Sequence, residues 1–169
     1  MDRERSDFFN ALEGIKNRLG EKATPLFLPI GAADTFKGII DLLERSALFF
    51  DDPKGAFKIG DIPPEMIEIS EKYRNNAVED IAECDEELMD KYLSDGELSI
   101  EELRKGIIAG IAAASLTPVI CGSAVKLIGV SSLMSFIVNY LPSPVERGPV
   151  YGTVPATGEQ EARSPEESA

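Results

Sequence analysis

Thr117-Pro118-Val119-Ile120-Cys121 runs directly into Gly122-Ser123-Ala124, and a helical pattern follows. This reads as a buried strand, a turn with exposed backbone N–H groups, and a helix. It is the α/β arrangement in which ligands sit beyond the carboxyl ends of strands. The helix carries Val130, Leu133, Met134, Ile137, Val138 and Leu141 at steps of three and four, and it stops at Pro142-Ser143-Pro144. That stripe reads as core packing. If the strands it packs on lie outside this chain, it stands open and invites a second copy. No G-x-x-x-x-G-K-S/T occurs anywhere, so nothing cradles phosphates. The chain reads as half of a nucleotide-binding domain.

Ahead of that strand the pattern changes several times. Ser6 is a plausible N-cap for a helix with Phe8, Leu12, Ile15 and Leu19 on one face and Gly20 as its C′ residue. Residues 25–30 read as one short apolar strand, and residues 38–50 as a long β-like run. Asp51-Asp52-Pro53-Lys54-Gly55 reads as a turn into a further strand from 56 to 59, which predicts a small antiparallel sheet. Pro64 suits the first position of a helix whose buried face is Met66, Ile69, Tyr73, Ala77, Ile81, Cys84 and Leu88. Asp85 re-caps the chain. Ser99 and Glu102 form a capping box that opens another helix through about Ala114. Residues 152–169 are rich in Gly, Glu, Thr, Pro and Ser and read as a flexible linker.

Charge narrows the partners. The net charge is −13, which argues against the basic footprint that nucleic acid requires and against an anionic membrane surface. A basic protein partner suits it better. Residues 65–103 hold fourteen acids against Lys72, Arg74 and Lys91, so the charge is concentrated on that helical stretch. Glu86, Glu87 and Asp90 lack the calcium-loop pattern and read as a solvated cluster. Histidine is absent, which removes the commonest general base and zinc ligand. Cys84 and Cys121 make no Cys-x-x-Cys pair and suggest a reducing cytoplasm; Cys121, in an apolar strand, reads as an inert buried thiol. No apolar run approaches the ~18 residues that a membrane span needs.

Motifs across residues 1–150 point further. They include Asp2, Phe8-Phe9, Ile15-Lys16-Asn17-Arg18-Leu19-Gly20, Pro25-Leu26-Phe27-Leu28-Pro29-Ile30-Gly31 and Phe36-Lys37-Gly38-Ile39-Ile40-Asp41-Leu42. Asp61-Ile62-Pro63, Glu86-Glu87-Leu88-Met89-Asp90-Lys91-Tyr92-Leu93, Ser123-Ala124, Gly129-Val130 and Tyr140-Leu141-Pro142-Ser143-Pro144 follow in order. As a set they resemble the bacterial translational GTPases, most closely the elongation factor G family. Lys126-Leu127-Ile128 and Val125 depart from the family's usual residues and hint at a paralogue.

The resemblance implies an α/β fragment with an α+β insert: part of a P-loop GTPase G domain bearing a small antiparallel sheet and helices. The implied divisions are 1–24 and 116–148 as G-domain remnants, 25–115 as the inserted subdomain, and 149–169 as a flexible linker. Asp2 matches the last residue of the family's Asn-Lys-x-Asp guanine motif, and Ser123 and Ala124 match its Ser-Ala motif. A carboxylate accepts the parallel N1–H and N2–H donors of guanine, the Ala124 backbone N–H can meet O6, and Ser123 can brace the turn. The phosphate loop, the switch regions and the Mg²⁺ ligands of the family are not matched. The parent is therefore expected to bind GTP with Mg²⁺, while this chain alone neither hydrolyses GTP nor binds it well. Expected partners are the ribosome and the C-terminal domain of its stalk protein, in the cytoplasm. Two other readings stay open: a ribosomal protection GTPase of the tetracycline-resistance type, and a free-standing acidic interaction module.

Overall fold

A computed structural model describes residues 1–19, 22–52 and 54–165. The role read for Gly20, the Pro53 position of the turn and residues 166–169 of the expected linker lie outside the described residues.

The first helix, α1 (Phe8–Leu19), is capped one residue later than expected. Asp7 Oδ1 accepts from Asn10 N–H at 3.0 Å, while the Ser6 hydroxyl donates to the Met1 carbonyl at 2.7 Å. A carboxylate is a strong acceptor for the unpaired N–H groups of a first turn, which leaves Ser6 free for the N-terminal loop. Phe8 and Leu12 are buried.

The single strand expected over 25–30 is two strands. β1 (Ala23–Pro25) pairs in parallel with β6 (Thr117–Val119). β2 (Phe27–Ile30) opens a separate antiparallel sheet with β3 (Gly38–Asp41), β4 (Ser46–Phe49) and β5 (Lys58–Gly60), in that order. The change occurs at Leu26, whose N–H donates to Val119 O at 3.0 Å and whose carbonyl accepts from Leu42 N–H at 3.1 Å. Every residue from Ala23 to Ile30 is buried, so no polar alternation marks the change of sheet. The β-like run 38–50 divides into β3 and β4 around a turn in which Asp41 Oδ1 accepts from the N–H groups of Leu43 and Glu44. On either side of Pro53, Asp52 Oδ1 accepts from Lys54 N–H at 2.8 Å and Asp52 O from Gly55 N–H at 2.9 Å.

Three helices pack together beyond the sheet: α2 (Ile67–Ala82), α3 (Glu86–Asp95) and α4 (Ile100–Ala112). Asp85 caps α3 through the N–H groups of Glu87 and Leu88, and Ser99 with Glu102 caps α4, as the sequence predicts. The α2–α4 seam depends on small residues. A Cβ at Gly106 would lie 2.6 Å from Ile81 Cγ2 and 3.0 Å from Ile81 O, and one at Gly110 would lie 2.6 Å from Cys84 Sγ. Thr24, fully buried in β1, donates to Asp80 Oδ2 of α2 at 2.6 Å and joins the helices to the parallel strand pair. Burial raises the Asp80 carboxyl pKa, and the Thr24 donor opposes that rise.

α5 (Val130–Tyr140) departs from its expected packing. Its buried residues are Ser132 and Phe136, and the expected core stripe is open: Leu133, Met134, Ile137, Val138 and Leu141 are all exposed, Val138 at 78%. The helix meets the helical group through its narrower Ser132–Phe136–Tyr140 side, which leaves the wide apolar face without a covering layer among the described residues. A short helix, α6 (Pro144–Arg147), follows. The segment read as a flexible linker then forms a hairpin, β7 (Val150–Thr153) with β8 (Gln160–Arg163). Gly158 N–H closes its turn on Val154 O at 2.8 Å. The Pro155–Gly158 stretch between the strands supplies turn-forming residues, although every strand residue is exposed. Among the described residues no helix is long and apolar enough to cross a membrane.

Two glycine substitutions separate packing from propensity. Gly106→Ala should lower stability by roughly 1 kcal/mol, because overpacking of about 1–3 kcal/mol outweighs about 1 kcal/mol of helix propensity. Gly14→Ala, in α1 with open space around its Cβ position, should raise stability by about 0.5–1 kcal/mol. Urea unfolding of both variants checks the pair, and a stabilised Gly106→Ala would show that the seam is loose. Glu102 gives a pH test. The Lys91 ammonium at 2.5 Å, then Ser99, hold its carboxyl down at about 2 against an ordinary 4.5. A depressed carboxylate contributes stability that is present above its unfolded pKa and lost as pH falls through the folded one. The advantage of wild type over Glu102→Gln in thermal melts should therefore be constant above pH 4.5 and shrink from there toward pH 2.

Candidate guanine-side site

The end of β6 and the first residues of the chain build one corner. After Val119 the backbone reaches Ser123, whose N–H donates to Ile128 O at 2.9 Å and closes a turn over residues 124–127. The Ser123 hydroxyl accepts from Lys126 N–H at 3.0 Å, so it braces that turn from inside. Ser123 is buried and Ala124 is exposed. The Ala124 N–H has no acceptor among the described residues.

The N-terminal residues lie against this turn. Met1 N donates to Gly122 O at 2.8 Å, and Met1 O accepts from Ala33 N–H at 2.9 Å. Asp2 follows, its side chain 18% exposed. The Ser123 hydroxyl beside it is the largest influence holding the Asp2 carboxyl below the usual range, with the Asp2 backbone N–H next. A neutral hydroxyl that favours the charged form keeps this carboxylate an acceptor near neutral pH.

The structure thus brings Asp2, Ser123 and Ala124 to one place: an ionised acceptor, a bracing hydroxyl and an unpaired N–H. Sequence reasoning missed the support behind them. Lys126 Nζ donates to Ala33 O at 3.4 Å, and the Ser6 hydroxyl accepts from Ala33 N–H at 3.3 Å, so the short helical turn Ala33–Thr35 buttresses the corner. Ala33 adopts φ 51°, a left-handed conformation that no residue spacing announces. Cys121, just before the turn, is buried with its Sγ 3.7 Å from Phe27 O, and burial pushes its thiol up to about 12. A thiol so far from ionisation is no nucleophile near neutral pH.

The acidic surface lies elsewhere, on α2, α3 and α4. None of the fourteen acids between 65 and 103 is buried. Glu71 pairs with Arg45 at 2.6 Å and Glu102 with Lys91, so most of the others face solvent without a cation among the described residues.

No protein-family model matches the chain. Among curated proteins it is similar to elongation factor G of Amoebophilus asiaticus (strain 5a2), 40% identical over 169 residues, covering 98% of this chain and 24% of that protein. Among solved structures it is similar to a crystal structure of a protein from Thermus thermophilus, with a TM-score of 0.76 and 31% identity over 93% of this chain and 24% of that one. The chain spans about a quarter of the length of the curated relative it matches.

Ser123→Ala removes the main influence holding the Asp2 carboxyl down. The Asp2 side-chain carbon, followed by NMR through an acid titration, should then move toward the ordinary aspartate pKa. An unchanged titration would mean that Ser123 serves the turn alone.

Proposed function

We propose that this chain, a segment of an elongation factor G-like protein, supplies the guanine-facing corner of a GTPase acting in translation elongation, together with an acidic insert that meets the ribosomal stalk. One observation carries the nucleotide half. Asp2 and Ser123, far apart in the sequence, stand together beside an Ala124 N–H that lacks an acceptor among the described residues.

The donor set fits guanine. Its N1–H and N2–H lie parallel on one edge and suit a carboxylate that stays ionised, and its O6 suits the Ala124 N–H. Adenine offers the opposite pattern at those positions, so the corner would discriminate by leaving its polar groups unpaired. In the parent protein GTP supplies the hydrolysable phosphate, while Asp2, Ser123 and Ala124 only hold the base. The chain contains no phosphate-loop motif, so phosphate and Mg²⁺ contacts fall to the rest of the parent.

The second half rests on charge. Helices α2 to α4 present acids that are all at least partly exposed, and a basic protein domain is the complement they favour. Such complementarity speeds encounter and weakens with salt. The stalk protein's C-terminal domain is the partner of choice, the ribosome the assembly, and the cytoplasm the compartment.

Amide NMR of this chain titrated with that stalk domain, and separately with GTP and Mg²⁺, tests both halves. Shifts should fall on α2, α3 and α4 with the stalk domain and fade as salt rises. GTP should give weak shifts confined to the turn after Ser123. No response to the stalk domain at low salt removes the docking role, and tight GTP binding would place a complete phosphate site within this chain. In the parent protein, Asp2→Ala should weaken guanine nucleotides about tenfold or more, the scale of a lost charge-assisted pair.

A further inference from the structure

One cavity stands apart from the corner at Asp2 and Ser123. It lies between the antiparallel sheet and α5, has a volume of about 470 Å³, and is walled by Leu43, Phe57, Phe136 and Tyr140. That size and apolar lining suit a small organic ligand. The rings of Phe136 and Tyr140, both on the lining, are stacked on each other at 4.7 Å.

Three polar groups sit on this lining. Ser132 is 9% exposed, and its hydroxyl has no hydrogen-bond partner. Asp41 is half-buried, and both backbone N–H groups that reach it meet Oδ1, which leaves Oδ2 without a donor among the described residues. Glu44 adds a second carboxylate at the rim. No lysine or arginine lines the cavity among the described residues. Arg104 is engaged nearby, with its guanidinium 5.7 Å from the Tyr140 ring centre and bonded to Asn139. A desolvated carboxylate without a counter-cation is costly, and so is a buried hydroxyl without a partner. Burial raises the Asp41 carboxyl, and burial followed by the Asp41 charge raises the Tyr140 phenol, in keeping with a negative pocket.

We propose that this cavity binds a small amphipathic cation, an aromatic group bearing a protonated amine. The ring packs on Phe136 and Tyr140, the ammonium donates to Asp41 Oδ2 and faces Glu44, and the Ser132 hydroxyl takes the remaining polar contact. Neither the nucleotide corner nor the acidic helices are involved, so the site stands apart from the proposed GTPase role.

The test is a ¹⁵N NMR titration of this chain with 2-phenylethylammonium, with the neutral isostere 2-phenylethanol beside it. Saturable shifts at Phe57, Asn139 and Tyr140 are expected for the amine, with far weaker ones for the alcohol. Asp41→Asn keeps an Oδ1 acceptor for the turn and should weaken the amine about tenfold, the scale of a charge-assisted hydrogen bond. Glu44→Gln, at an exposed side chain, should weaken it less and decides the matter if Asp41→Asn loses its folded spectrum. No saturable shift would overturn the proposal. So would equal binding of amine and alcohol that neither variant changes, since that describes an apolar crevice alone.

Discussion

The peptide of Leu26 divides its two hydrogen bonds between two sheets, and much else depends on that division. Its N–H belongs to the parallel pair and its carbonyl to the antiparallel sheet. A buried backbone group must find a partner, so the chain changes sheets here without leaving either group unsatisfied. The Leu26 side chain is 1% exposed and packs with Val78, Ile81, Leu103, Ile107 and Phe136. Its neighbour Phe27 packs with α1 and the sheet residues in the other core. Adjacent residues thus serve two cores, and the strand–turn–helix carrying Ser123 is held against both.

Much of this was legible because local chemistry decided it. Asp85, and Ser99 with Glu102, cap their helices as the residue types dictate, since a cap needs only its own neighbours. The seam at Gly106 and Gly110 was hidden inside a regular helical pattern, because the reason for glycine lies in the facing residues Ile81 and Cys84. The break at Leu26 was hidden too, since a strand buried on both faces has no period to interrupt. The stripe on α5 is apolar, as its spacing says, but it is not buried. Periodicity reports which face is apolar and says nothing about what is present to cover it.

The corner at Asp2 and Ser123 was legible only in its parts. Asp2 and Ser123 stood out as residue types matching a family pattern, but neither spacing nor composition joins two positions so far apart in the sequence. What joins them is the carbonyl of Gly122 and the loop at Ala33. The corner and the acidic helices also differ in physical character. The corner holds one acceptor and one donor in fixed positions, a hydrogen-bond pattern. The acidic helices set up a field, which has a sign and weakens with distance and salt.

The parallel pairing of Ala23 with Thr117 has a consequence for how the molecule can be taken apart. Everything between those residues leaves the strand pair and returns to it at an adjacent point. The entropy of closing so long a loop rises only slowly with its length, and a pre-folded intervening body would deliver its two ends already side by side. Its outer loops can therefore change length while the strand leading to Ser123 keeps its place. Its inner side cannot be exchanged so freely, because Phe8, Leu12, Cys121 and Ile128 share one core with its sheet and Phe136 shares the other with its helices.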